Sequence, residues 1–398
     1  MHEKSNNNIQ LWTKNFIIIT LLNFLIFFSF QMLQPTLPIY VKELGGTDSV
    51  VGLVTGIFTV SALIARPFAG KTLDKIGRKP VFIIGLAIFA ASVLAYSWLP
   101  IIGLILFFRL IHGFGWGISN TAVNTIASDN IPKTRFGEGM GYFSLASSLA
   151  MAIAPAVGLS YITKYSFSNL FLIASALIIT VLLLVAFSEY TKPKKTSEAT
   201  AKTSTKDSLY EKSSIRPSIV IFFVCTTYGA VVSFISLYAT EKGIENIGLF
   251  FTVYAVSLLV SRPVFGHIND RFGPDFSVIP GLIMLFIAML LLWQASVLIM
   301  FLLVGCIYGI GLGFGAVQAT IQTMAVAHVP TQRRGAANAT FFTGFDSGIG
   351  FGSIIFGMIA SALGYSNMYM LASAAIVIAF ILYVLLAKKS KSFTTDIK

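Results

Sequence analysis

Asp346 is the one carboxylate that falls well inside an apolar run of this 398-residue chain, in the stretch FFTGFDSGIGFG. An acid held away from water is disfavoured in its charged form. It is therefore suited to take up and release a proton, or to meet a positive charge on a ligand. It is equally suited to pair with a buried cation, for which Arg262 is a candidate. Three arginines share the apolar setting. Arg109 begins RLIHGFGWG, with His112 one helical turn on and on the same face. Two roles fit His112: a hydrogen-bonded packing residue, or a group that handles protons or touches substrate. Arg66 and Arg262 stand at equivalent places before two loops, each followed by a proline. They either snorkel to the membrane surface or draw an anionic or zwitterionic ligand to an inner mouth.

Polar stripes continue these patterns. Trp116, Asn120 and Asn124 follow Arg109 and His112 at spacings of three to four. Tyr308, Gln318 and Gln322 repeat the design, with Asn120 mapping to Gln318 and Asn124 to Gln322 at an offset of 198. Amides facing hydrocarbon are costly, so both stripes should face the protein interior. There they line a cavity or tie helices together. Gln31 and Gln34, just before PTLPIY, either contact substrate or sit near the outer interface. Nothing points to an enzyme. There is no Ser/His/Asp, Cys/His or paired-carboxylate constellation, so no catalytic residue is assigned. No phosphate-binding glycine loop is present and no ATP drive is expected. Cys225 and Cys306 lie in apolar runs without metal-ligand spacing, and no metal or other cofactor is expected.

Elements that could position these groups follow from composition. The chain is 56% hydrophobic and only 11% charged, against about 25% charged in soluble domains. Lipid must therefore solvate most of its exterior. The net charge of +12 lies in short loops between apolar runs, which argues against nucleic acid as a partner. The runs cover roughly 15–41, 49–69, 80–98, 101–127, 138–162 and 168–189, then 217–240, 246–266, 276–294, 297–326, 336–362 and 366–387. That makes an all-α membrane protein with twelve transmembrane helices. The first run is too long for a signal-peptide core and reads as a retained helix. Of 28 Lys and Arg, 22 fall in the segments on one side, with Lys42, Lys164 and Lys242 on the other. The bias places both termini in the cytoplasm of a cell-membrane protein. Residues 190–216 are Lys/Ser/Thr-rich and read as a flexible linker between a six-helix bundle at 1–189 and another at 217–398.

The halves resemble each other. ARPFAGKTLDKIG from Ala65 aligns with SRPVFGHINDRFG from Ser261 at an offset of 196, and IPKTRFG from Ile131 with VPTQRRG from Val329 at 198. Two pseudo-symmetric bundles from a duplication are a common transporter design, with the site at their interface. The loop from Gly70 to Lys79, with Gly70, Asp74, Gly77 and Arg78 in a Gly-x-x-x-Asp-x-x-Gly-Arg-Lys pattern, resembles the signature motif A of the major facilitator superfamily. Asp270 and Arg271 belong to a weaker copy. The resemblance implies the major facilitator fold. It also implies a charge network of Asp74 and Arg78, with Asp129 as partner, that stabilises an outward-open state. Arg109 resembles the arginine of motif B, which the family links to proton coupling; His112 stands where glutamine is usual. The small-residue stretch around Pro155 and Gly158 resembles the antiporter motif C, with Ala154 and Ser160 in place of two glycines.

Taken together, a secondary active transporter is expected, resembling the twelve-helix drug–proton antiporter group. It would export a small molecule, a drug or an amphipathic or zwitterionic metabolite, by alternating access as a monomer. Protons would supply the energy. Proton-coupling candidates are Asp346, Arg109 and His112. Rival readings are a dedicated metallophore or siderophore exporter, and proton-coupled uptake of a sugar or organic acid.

Overall fold

A computed structural model describes residues 10–132, 135–187, 211–309, 314–327, 329 and 334–387; the side chains of some helical positions, Asp74, Arg262 and Asp270 among them, lie outside that description. The first half holds α1 (Lys14–Glu43), α2 (Asp48–Ile76), α3 (Arg78–Tyr96), α4 (Ile102–Asn130), α5 (Phe136–Ile162) and α6 (Phe167–Phe187). The second holds α7 (Lys212–Glu241), α8 (Gly248–Phe272), α9 (Asp275–Trp293), α10 (Leu298–Gly309), α11 (Phe314–Ala327) and α12 (Arg334–Ala387). Nine helices among the described residues are long and apolar enough to cross a bilayer, and α8 and α10 contribute shorter apolar stretches. The helix α12 covers the last two expected spans. It turns at Gly364, whose φ of 81° and ψ of 163° suit glycine and strain other residues. The expected span 297–326 is covered by α10 and α11, with 310–313 outside the described residues.

Local chemistry sets the helix ends. The Thr13 and Thr47 side chains accept from Phe16 N–H at 3.2 Å and Val50 N–H at 3.4 Å, capping α1 and α2. Two boundaries differ from the sequence reading. The helix α2 runs to Ile76, so Gly70 and Asp74 are helical rather than in a loop. The turn is concentrated at Gly77, whose φ of 107° breaks the helix. The helix α7 begins at Lys212, inside the stretch read as linker. Its first turn is tied to α11 by Ser214, which donates to the Ala325 carbonyl at 2.6 Å.

The duplication is three-dimensional. Gly45 and Gly243 both have positive φ, as do Gly77 and Gly273. Gly113 packs against the Phe58 carbonyl, and Gly309, 196 residues on, packs against the equivalent Tyr254 carbonyl. Gly158 meets Met32 and Gly352 meets Thr226, each pair 194 residues from the other. Large apolar side chains, such as Phe68, Phe187 and Ile299, remain exposed on the outside. In a lipid-embedded chain that surface is the solvated one.

The halves meet most tightly near the end that carries residues 44–47. There Gly52 and Gly56 of α2 abut Ser353, Ile354, Gly350 and Gly357 of α12, so the two backbones touch. Ser233 of α7 donates to Thr55 of α2 at 2.9 Å. Asp48 accepts from Lys42 at 2.6 Å and from Tyr365 of α12 at 2.6 Å. Gly248 of α8 lies against Ala156 of α5. Toward the other end the α2–α12 seam reaches Arg66. One turn further, Gly70 has open space where a side chain would point.

Candidate functional site

Between the halves lies a cavity of about 530 Å³. Its walls come from α1, α2, α4 and α5 on one side and from α7, α8, α11 and α12 on the other. Most of the polar residues singled out in the sequence converge on it. Gln31 and Gln34 of α1, Asn120 and Asn124 of α4, and Gln318 and Gln322 of α11 all line it. Trp116 closes the apolar side, stacked on Phe30 with centroids 4.0 Å apart. Asn124 donates from Nδ2 to the Asn120 carbonyl at 2.8 Å. Gln322 donates to Asn338 at 3.4 Å.

Arg66 and Asp346 meet in this cavity. Their side chains form an ion pair of 2.7 Å across the halves, with 25% and 13% of their surface exposed. The partner of Asp346 is thus Arg66 of the opposite half; Arg262, the cation considered from sequence, has its side chain outside the described residues. Arg66 lines the cavity, with 25% of its side chain exposed. Breaking a fully buried pair by removing one member costs about 3–5 kcal/mol, and partial hydration makes this one cheaper.

Arg109 and His112 sit behind the wall rather than on it. Arg109 is 1% exposed and His112 is 0% exposed. The guanidinium donates to the Val54 carbonyl at 3.1 Å and to Gln34 Oε1 at 3.1 Å, and lies 4.1 Å from the Phe58 ring centroid. A third N–H points at His112 Nδ1, 3.2 Å away. Since guanidinium only donates, Nδ1 must accept, which puts the imidazole proton on Nε2. Tyr96 closes the cluster, 3.3 Å from the same Nδ1. Gln34 connects this enclosed cation to the cavity.

Other expected residues sit elsewhere. Tyr308, a cavity candidate from sequence, is 0% exposed and bonded to Thr227 at 3.0 Å inside the second half, away from the cavity walls. Its hydroxyl is satisfied by a neighbouring helix, which spacing along one helix could not reveal. Arg78 donates to Asp129 at 3.0 Å, tying the start of α3 to the end of α4 within one half. That pair joins two helices of the same bundle. Asp74 and Asp270 have side chains outside the described residues, and Arg271 lies 5.2 Å from the Phe272 ring. Pro155 and Gly158 form the α5 face toward α1, where a Cβ on Gly158 would sit 2.7 Å from the Met32 carbonyl oxygen.

Several wall residues were not singled out from sequence. Phe27, Phe30 and Phe58 supply aromatic surface, and Tyr228 and Tyr254 supply hydroxyls from the second half. Ser144, Ser147 and Ser148 line the α5 side. These helices are apolar all round, so periodicity alone does not separate cavity-facing aromatics from lipid-facing ones.

Two like bundles of apolar helices around a polar chamber are a design common among membrane transporters, with the site at the interface of the repeats. The model of the Major Facilitator Superfamily matches residues 19–246 and 218–397, and the chain belongs to that family. The staphylopine export protein of Staphylococcus aureus is 24% identical over 388 residues, covering 92% of this chain and 94% of that protein. The quinolone resistance protein NorA of the same species is 26% identical over 362 residues, covering 85% and 87%. Among solved structures, a bacterial homologue of the human lysosomal transporter Spinster, inward-facing and unoccupied, superposes with a TM-score of 0.79 at 16% identity, covering 94% and 96%. The nucleoside transporter NupG gives 0.73 at 16% identity, covering 94% and 99%. The chain is thus a multi-pass membrane transporter of the major facilitator fold, akin to the efflux group, and not an enzyme.

Proposed function

We propose that this transporter exports a small molecule in exchange for protons. The observation that carries the reading is the Arg66–Asp346 ion pair, which spans the two halves on the cavity wall. A carboxylate held by a cation has two exits from the pair: it takes a proton, or it takes the positive group of a substrate. One site that binds either but not both is the minimal device for antiport. The alternation follows. Proton uptake at Asp346 releases Arg66 and loosens the α2–α12 seam; substrate binding discharges the proton. Support for export over uptake comes from the two staphylococcal relatives, named for export and for drug resistance, and from the small-residue face around Pro155 and Gly158.

Orientation follows the lysine and arginine bias, with both termini cytoplasmic. The half-to-half contacts near residues 44–47 would then close the outer side, and the chamber would open inward. Arg109 and His112 would tune Gln34 and the wall rather than contact substrate. A dedicated metabolite exporter is the second reading. It is favoured by the seven amides and one ion pair among the described side chains of the chamber, which exceed what a greasy drug pocket needs.

Everted vesicles that overproduce the protein test the reading. An imposed proton gradient should drive accumulation of a labelled zwitterion such as phenylalanine, and its addition should release protons. Asp346→Asn should abolish both while leaving the folded protein in the membrane. Unchanged proton-driven accumulation in that variant sinks the coupling role.

A further inference from the structure

We propose that the Arg66–Asp346 pair recognises dipolar small molecules, those that carry an acid group and an ammonium group on the same carbon. The inference rests on the export reading only in taking this cavity as the transport site. Among the described side chains that line the cavity, these two are the charged ones, and they are 2.7 Å apart on opposite halves. Among those side chains the charges therefore balance. A ligand with one charge must break the pair and leave the other member without a counter-charge in a poorly hydrated place. A dipolar ligand exchanges one ion pair for two: its ammonium meets Asp346 and its carboxylate meets Arg66. Because the pair is in direct contact, the ligand's two charges must lie close together, as in an amino acid. Such a ligand also bridges α2 and α12, so binding bears on the seam that must move.

Surrounding groups fit a substituent on that head. Gln34 and Asn120 offer polar partners on one side. Phe30 and Trp116, stacked at 4.0 Å, offer an apolar face on the other. Arg66 is itself steadied 5.9 Å from the Phe342 ring, which favours a defined guanidinium position over a mobile one. The ligand class is an amino-acid-like or betaine-like compound with an aromatic or amphipathic substituent.

Three probes with one skeleton test this on the purified full-length protein at neutral pH: phenylalanine, phenethylamine and 3-phenylpropanoate, with affinities from calorimetry. Phenylalanine should bind at least tenfold tighter than either singly charged analogue. Arg66→Gln should turn the preference toward phenethylamine, and Asp346→Asn toward 3-phenylpropanoate. The double exchange Arg66→Asp with Asp346→Arg should restore the preference for phenylalanine. Equal affinities for the three in the unaltered protein, no binding of phenylalanine, or single variants that shift all three together would overturn the proposal. Binding to purified protein needs neither a gradient nor a direction. Failure of vesicle export with this specificity intact would overturn the export reading and leave the recognition site standing.

Discussion

Arg109 is a cation placed deep among apolar helices, and its surroundings explain how that is tolerated. A charged residue at a bilayer centre costs about 2.5–3.5 kcal/mol on insertion scales. Here the guanidinium has the Val54 carbonyl, Gln34, the His112 ring and the Phe58 face around it. Each hydrogen bond to a charged group contributes about 1.5–3 kcal/mol. His112 serves as an acceptor in this set; among the described residues its Nε2 has no hydrogen-bond partner, and it is not on the cavity wall. We propose a packing role for it. His112→Gln keeps an acceptor within reach of Arg109 and should retain most transport and thermal stability. His112→Leu should lower the unfolding midpoint in detergent, at a cost of about 1–3 kcal/mol for the stranded donor. Loss of proton-linked transport in the Gln variant with normal stability would instead assign the ring a proton-handling role.

At the level of helices, close approach depends on missing side chains. Gly113 lets α4 rest on the α2 backbone at Phe58, and Gly309 lets α10 rest on the α8 backbone at Tyr254. Small residues at such crossings compensate for the absence of a hydrophobic drive between helices in lipid. A Cβ at either place overlaps a carbonyl oxygen, and backbone cannot step aside as a flexible side chain does. Gly113→Ala and Gly309→Ala should therefore each destabilise by about 1–3 kcal/mol. The two effects should be similar, since the contacts are repeat equivalents. Thermal unfolding in a fixed detergent measures both. A large penalty at one and none at the other would mean that the halves tolerate repacking differently. The motif C-like stretch belongs to the same scale: Gly158 seats α5 on Met32 of α1, beside the Ala156–Gly248 contact between halves.

The whole molecule is two bundles hinged by contacts of unequal strength. Near residues 44–47 the seam combines touching backbones with a charge-assisted bond from Tyr365 to Asp48 at 2.6 Å. Nearer the middle it depends on the Arg66–Asp346 pair. Alternation requires the first set to part. Tyr365→Phe removes one hydrogen bond to a carboxylate, about 1.5–3 kcal/mol, and leaves the ring packing on Phe234 and Tyr238. A bias of that size shifts a two-state equilibrium about tenfold or more toward separation at this end. Spin labels at Glu43 and Leu363, both exposed, should report a larger population of long distances in the variant. An unchanged distribution would mean that the glycine-lined seam alone sets the closure.

Much of this architecture is decided along the chain. Long apolar runs admit helices alone in lipid, because each backbone group must find its partner within its own segment. The internal match between Ala65 and Ser261 already implied two like halves, and the amides of Asn120, Asn124, Gln318 and Gln322 were legible as inward-facing because lipid would reject them. Pairing across the chain was a different matter. Nothing near position 346 in sequence names Arg66 as the counter-charge, since the two lie 280 residues apart and only the docking of α2 on α12 brings them together. Tyr308 shows the same limit from the other side: its stripe points inward, yet Thr227 of a neighbouring helix takes its hydroxyl and removes it from the chamber. Periodicity reports which face of a helix avoids lipid. Only tertiary packing decides whether that face meets another helix or open space, because that depends on how closely the neighbouring backbones approach.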